Sequence, residues 1–216
     1  MEKFGSDFTA QQITDHNIAV KRLQIKGMSD FFAVVKRQFI LTNGLMYALL
    51  FIFIITFVFF PATVDATYLS WMHKDIKKNE LSWFQLFMLL NFNVSDTIGR
   101  TLAGYANTGR TSTLIGSFTR ILFFTTYFLI MFQVGPRWLF LSDWFKILNT
   151  FFFGFTNGFF STRCAILAPG VVSETYRQET GSMIGSIISI GILIGSIIAI
   201  PMGEFIKIAP PTPLDP

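Results

Sequence analysis

An all-α, polytopic membrane bundle of about five transmembrane helices is what this sequence encodes, on three grounds. Of its 216 residues, 51% are hydrophobic and only 14% charged, whereas soluble domains carry about 25% charged residues. Phenylalanine occurs 27 times, more apolar surface than a water-soluble core of this size can hide. The apolar residues also fall into runs of ~18 or more, the length a helix needs to cross roughly 30 Å of hydrocarbon.

Residues 1–37 form a polar, basic amino-terminal tail. Within it, Ser29-Asp30 precede Phe31, Phe32, Val34 and Val35, with Lys36 and Arg37 behind. That order predicts a short capped helix at the membrane interface or an ordinary loop helix. The transmembrane domain is expected over 38–206. Its first span, 38–60, holds no charge and ends before Pro61. The second, 81–105, opens with Leu81, Ser82 and Trp83, the tryptophan at interface depth. Asn107 to Ser112 have turn composition and lead to a third span over 113–134. Gly135-Pro136-Arg137-Trp138 end it, and a fourth runs over 145–168 until Pro169-Gly170. A polar loop, 173–180, precedes a fifth span over 181–206. The proline-rich tail is 207–216, in which Pro210-Pro211-Thr212-Pro213 cannot be helical.

An odd number of spans puts the termini on opposite sides. Outside the spans, about eight Lys and Arg collect on the amino-terminal side against about six on the other, which places the amino terminus in the cytosol or its equivalent. The single cysteine, Cys164, rules out an internal disulfide and Cys-x-x-Cys metal ligation. No signal peptide or nucleic-acid signature is present. No nucleophile–base pair or metal cluster appears, so neither an enzyme nor a cofactor is expected. The membrane, plasma or organellar (the mitochondrial inner membrane included), is left open.

The second span is unusual. It carries Asn91, Asn93, Ser95, Asp96 and Arg100 in an otherwise apolar run. Ionisable groups at membrane depth face a bundle interior or a water-filled cavity. Asp96 and Arg100 are four residues apart, and Asn93 is three before Asp96, so all three share one helical face. Carboxylate, guanidinium and amide together suit a polyhydroxylated solute. An internal Asp–Arg pair that keeps neighbouring helices in register suits the same spacing. Arg120 and Arg163, two further charges in spans, are expected to be structural, each snorkelling or paired with an acid on another helix. In the fifth span Gly181, Gly185, Gly191 and Gly195 give two small-xxx-small spacings for tight helix packing.

The stretch Phe92-Asn93-Val94-Ser95-Asp96-Thr97-Ile98-Gly99-Arg100 resembles the equilibrative nucleoside transporter family, which carries an FNxxDxxGR pattern in its eighth helix. Further similarities follow in order: Phe59-Phe60-Pro61-Ala62-Thr63-Val64 to the end of the seventh helix, Arg120 to an arginine of the ninth, Thr156-Asn157-Gly158-Phe159 to the tenth, and Glu179-Thr180-Gly181 to the loop before the eleventh. The resemblance covers about residues 38–206. It implies a bundle like the carboxy-terminal bundle of a major-facilitator-like nucleoside transporter. It also implies that Asp96 and Arg100 contact ribose hydroxyls, while Asn93 and Phe60 border the cavity. Thr125 stands where the family's ninth helix usually has proline, and Arg163 where an apolar residue is usual.

The family has eleven helices and this chain resembles the last five. Beginning at Met1, it reads as a short protein without the six-helix amino-terminal bundle. Alternating access needs two bodies around a midplane site. The expected role is therefore a structural or accessory subunit of a larger, hetero-oligomeric membrane complex. The alternative is half of a split transporter moving nucleosides with a partner bundle. The expected partners are the lipid bilayer, other membrane chains and, in the second case, nucleosides; nucleic acid is not among them.

Overall fold

The structure, a computed structural model, describes residues 28–42, 44–60, 83–131 and 142–208. Every regular element among them is an α-helix: α1 (Met28–Leu41), α2 (Leu45–Phe59), α3 (Trp83–Tyr105), α4 (Arg110–Thr119), α5 (Ile121–Met131), α6 (Asp143–Gly170) and α7 (Glu174–Ile208). The expected loop at 61–80, the turn at 135–138, and residues 1–27 and 209–216 of the two tails lie outside the described residues; residues 28–37 of the first tail fall in α1, and 207–208 of the second fall in α7, which runs past the expected end of the fifth span.

α2 is the apolar centre. From Ala48 to Phe59 its only polar residue is Thr56. It touches α1, α4, α5, α6 and α7. Its first half joins Cys164, Ala168, Met183 and Ile187 in one apolar cluster, and its second half joins Phe92, Tyr127 and Phe153 in another. The helix ends where it should. Phe60 is extended at φ −102°, ψ 127°, the conformation that a following proline imposes.

The first expected span, 38–60, is not one helix. Residues 38–41 belong to α1, and α1 meets α2 at 107°. Gly44, at φ 93°, supplies the left-handed residue that lets the chain turn, which costs glycine little. α1 starts at Met28, so Ser29 and Asp30 sit inside its first turn rather than ahead of it. α1 is fastened to the start of α7: Arg37 pairs with Glu179 and lies 5.0 Å over the Tyr176 ring, and the buried Thr180 hydroxyl is 2.7 Å from Gln38 Oε1. The expected loop 173–180 is thus mostly helical. α7 begins at Glu174, an acid suited to the positive end of the helix dipole.

Arg110–Ile130 and Tyr176–Pro201 are long and apolar enough to cross a membrane, and the bent pair Phe32–Leu41 with Leu45–Phe59 makes a third candidate. The third expected span corresponds to α4 and α5, separated at Arg120. The Thr119 hydroxyl bonds back to the Gly116 carbonyl at 2.9 Å, a contact that bends helices. α3 and α6, at 23 and 28 residues, have spanning length but carry polar side chains. They lie against each other more extensively than any other pair. The exposed apolar side chains Ile115, Phe118 and Leu122 on α4 and α5, and Leu193, Ile197 and Ile200 on α7, form a surface suited to acyl chains.

Small residues set the α3–α6 distance. Ser95, Gly99 and Ala103 of α3, four apart, are buried; Gly154 and Gly158 of α6, also four apart, lie against Ser95 and against the Asp96–Arg100 backbone, and Gly99 lies against the backbone of Phe155 and Phe159. A Cβ on Gly158 would overlap the Asp96 carbonyl, and one on Gly99 the Phe155 carbonyl. This is small-xxx-small packing from both sides. In α7 only half the expected glycines pack. Gly191 and Gly195 meet α2, where added Cβ atoms would lie 2.8 Å from Phe53 Cβ and from Phe57 Cβ. Gly181 and Gly185 meet no described residue. At about 100° per residue they are turned roughly a third of the circumference from the buried Thr180–Met183–Ile187–Gly191–Gly195 stripe.

Gly158→Ala is expected to lower the thermal unfolding midpoint in detergent, at an overpacking cost of about 1–3 kcal/mol. Gly181→Ala is expected to leave the midpoint unchanged or slightly raised.

Candidate functional site

α3 presents three faces about a third of a turn apart. Met88, Phe92, Ser95, Gly99 and Ala103 are buried against the bundle. Leu90, Val94, Ile98 and Leu102 form an exposed apolar face. Between these lies the polar stripe, with Asn93, Thr97, Arg100 and Thr101 exposed and Asp96 half-buried.

Asp96 and Arg100 meet as their spacing predicts. Arg100 Nε donates to Asp96 Oδ2 at 2.7 Å, with the arginine side chain 47% exposed and the aspartate 14%. The other oxygen, Oδ1, accepts from Asn157 Nδ2 of α6 at 2.7 Å. Asn157 Oδ1 lies 2.7 Å from the Thr56 hydroxyl of α2, whose one proton it shares with the Ile52 carbonyl. That hydroxyl accepts from Arg120 Nη2 at 2.8 Å. Arg120 Nη1 donates to Thr156 Oγ1 at 2.7 Å and to the Phe153 carbonyl at 3.1 Å. Its guanidinium lies 4.8 Å from the centre of the Phe153 ring. A polar relay thus runs from the open Arg100 to the fully buried Arg120. On α2 and α6 it lies between the two apolar clusters.

The other expected residues lie around this relay. Asn93 shares the stripe, but its amide donates to the Leu89 carbonyl of its own helix at 2.7 Å. Phe60 stacks on Phe92, centroids 4.1 Å apart. The two arginines expected to be structural touch no carboxylate among the described residues. Arg120 is held instead by hydroxyls and a carbonyl at Nη1 and Nη2 and by a ring, while its buried Nε meets no described hydrogen-bond partner. Arg163, 6% exposed, donates to the carbonyls of Ala103 and Thr108, at the negative end of α3, where a cation is favoured.

A model of the nucleoside transporter family matches residues 7–202. The chain belongs to the nucleoside transporter family. Among curated relatives, equilibrative nucleoside transporter 3 of Rattus norvegicus is 30% identical over 173 residues, 76% of this chain and 36% of that protein. Equilibrative nucleotide transporter 8 of Arabidopsis thaliana is 25% identical over 118 residues, 54% of this chain and 30% of that protein. Equilibrative nucleoside transporter 4 of Danio rerio is 27% identical over 131 residues, 59% of this chain and 25% of that protein. The chain thus spans about a third or less of the length of the relatives it matches.

In this nucleoside transporter bundle, sequence reasoning passed over Thr56 and Gly154, and it touched Thr156, Asn157 and Gly158 only through their likeness to the family's tenth helix, without giving them a role. A lone threonine in the apolar helix α2 and the four-residue spacing of the two glycines were the available signals.

Arg163→Leu leaves the Ala103 and Thr108 carbonyls without their charged donor. Backbone amide exchange in the last turn of α3 is expected to speed up roughly tenfold or more, with that around Phe92 unchanged.

Proposed function

We propose that this chain forms one wall of a nucleoside-handling cavity and moves nucleosides together with a second helical bundle, in the same polypeptide or another. The observation that supports this is the open polar stripe on α3. Its Asn93, Thr97, Arg100 and Thr101 are exposed, while its Asp96 is anchored from behind to α6 by a buried relay. A polar strip beside an apolar, lipid-suited face calls for water or a polar partner surface, because acyl chains satisfy no hydrogen bond. Asp96 and Arg100 are the groups assigned to ribose hydroxyls, the carboxylate accepting and the guanidinium donating. Asn93 and Phe60 border the same cavity in this reading. The transporter names of its relatives agree with it. Five spans, with α1 lying along the membrane surface, complete the topology, and the amino terminus faces the cytosol.

One observation favours a second reading. Both oxygens of Asp96 are already engaged by protein donors, as expected of a structural cross-link. On that reading the chain is an accessory subunit of a larger membrane assembly, its stripe covered by a neighbouring chain.

Uptake of radiolabelled uridine by cells lacking their own nucleoside uptake separates the two. The cavity reading expects saturable uptake that drops at least about tenfold in Asp96→Asn and in Arg100→Leu, the loss of a charged hydrogen bond. Uptake that survives both changes would exclude it. Recovery of the chain at fixed stoichiometry in a complex that neither binds nor moves uridine would establish the accessory role.

A further inference from the structure

We propose that Asn157 is a positioning residue for nucleoside recognition: held by Thr56 and Arg120, it fixes the Asp96 carboxylate so that Asp96 and Arg100 together select a cis-diol. This rests on the reading that the α3 stripe meets a nucleoside.

Asn157 is 3% exposed and sits behind the stripe rather than on it. Its amide has one orientation compatible with its neighbours. Nδ2 must face Asp96, an acceptor at 2.7 Å. Oδ1 must face Thr56, which gives its proton while Arg120 donates to its oxygen. An amide flip would set Oδ1 against the carboxylate. Arg120, itself 1% exposed, therefore determines which way Asn157 points, and Asn157 determines which way Asp96 points.

The consequence falls on the exposed side. Asn157 uses one lone pair of Oδ1, and Arg100 Nε uses one of Oδ2. Each carboxylate oxygen retains acceptor capacity, and the Arg100 side chain stays open. Acceptor sites on both oxygens beside guanidinium donors match two adjacent hydroxyls, each of which donates once and accepts once. Without Asn157 the carboxylate is free to rotate about its side-chain bonds and to close fully on Arg100. Its fixed spacing is then lost, which affects a ligand only through its diol.

Radiolabelled uridine and 2′,3′-dideoxyuridine provide the test, as equilibrium binding to membranes from cells expressing the full chain. Asn157→Ala is expected to cut the preference for uridine about tenfold while dideoxyuridine binding holds. An unchanged preference, or an equal fall for both ligands, overturns the proposal. Asn157→Asp keeps the size and the bond from Thr56, itself held by Arg120, but sets a second carboxylate against Asp96. The charged groups facing that pair are Arg100 on α3 and Arg120 at the α4–α5 junction. Two touching carboxylates cannot both ionise readily, so the pair holds one shared proton with which residue 157 can still donate to Asp96; uridine preference is expected to be highest in mild acid and to fall as rising pH removes that proton. A pH-independent variant, or the same fall with pH in the wild type, overturns the proposal. Asp96→Asn separates the two claims. If it leaves uridine binding intact, the site assignment itself fails. If it abolishes binding while Asn157→Ala keeps the preference, only the positioning role fails.

Discussion

The close approach of α3 and α6 is the constraint on which the rest of the bundle depends. The Asp96 carbonyl lies where a side chain at position 158 would stand, and the Phe155 carbonyl where one at position 99 would stand. Neither helix is uniformly apolar, so hydrophobicity alone does not hold them together. In lipid, packing and interhelical hydrogen bonds supply the association, and both need short distances. Asn157, next to Gly158, reaches Asp96 at 2.7 Å only because the backbones have closed up. The glycines and the polar relay are therefore one device. The first removes the side chains that would separate the helices, and the second uses the space.

The same device explains how a guanidinium is tolerated at the centre of the bundle. Burying a charge is costly unless it is paired and hydrogen-bonded. Arg120 has no carboxylate in contact among the described residues. It reaches the charge of Asp96 through Thr56 and Asn157, and it adds Thr156, the Phe153 carbonyl and the Phe153 ring. Arg163 uses a different solution, the carbonyls at the end of α3. Both answers need neighbouring helices already in place. These arginines are consequences of the packing as much as causes of it.

This explains what was legible in the sequence. Helix identity and most boundaries follow from local signals: the apolar run of α2, the proline after Phe60, the turn before Arg110, Pro169-Gly170 at the end of α6. The Asp96–Arg100 pair follows from i,i+4 spacing within one helix. The kink at Gly44 was missed because residues 38–60 carry no charge and read as one span, although Thr42-Asn43-Gly44 breaks the apolar run with an Asn-Gly turn signal. The partners of Arg120 and Arg163 were misjudged because charge counting looks for an acid, whereas hydroxyls, carbonyls and a ring do the work. The active glycine pairs were half mistaken for a related reason. Spacing identifies two residues on one face, but the direction of that face is set by neighbouring helices. Ser95–Gly99–Ala103 and Gly154–Gly158 matter because each finds the other.

The three-faced character of α3 carries the last step. A helix packed on one side and wetted by lipid on the other two would have two apolar exposed faces. α3 has one, formed by Leu90, Val94, Ile98 and Leu102. The other bears Asn93, Asp96, Thr97, Arg100 and Thr101, with the threonines and Asn93 bonded to carbonyls of their own helix. Such self-satisfied groups lower the cost of leaving the stripe uncovered without making it suited to lipid. Arg100 is different, for it has more donors than its pair with Asp96 uses. A surface that is largely self-contained but keeps open donors at one point concentrates its demand for a polar counterpart at Arg100, and whatever covers the stripe has to meet that demand.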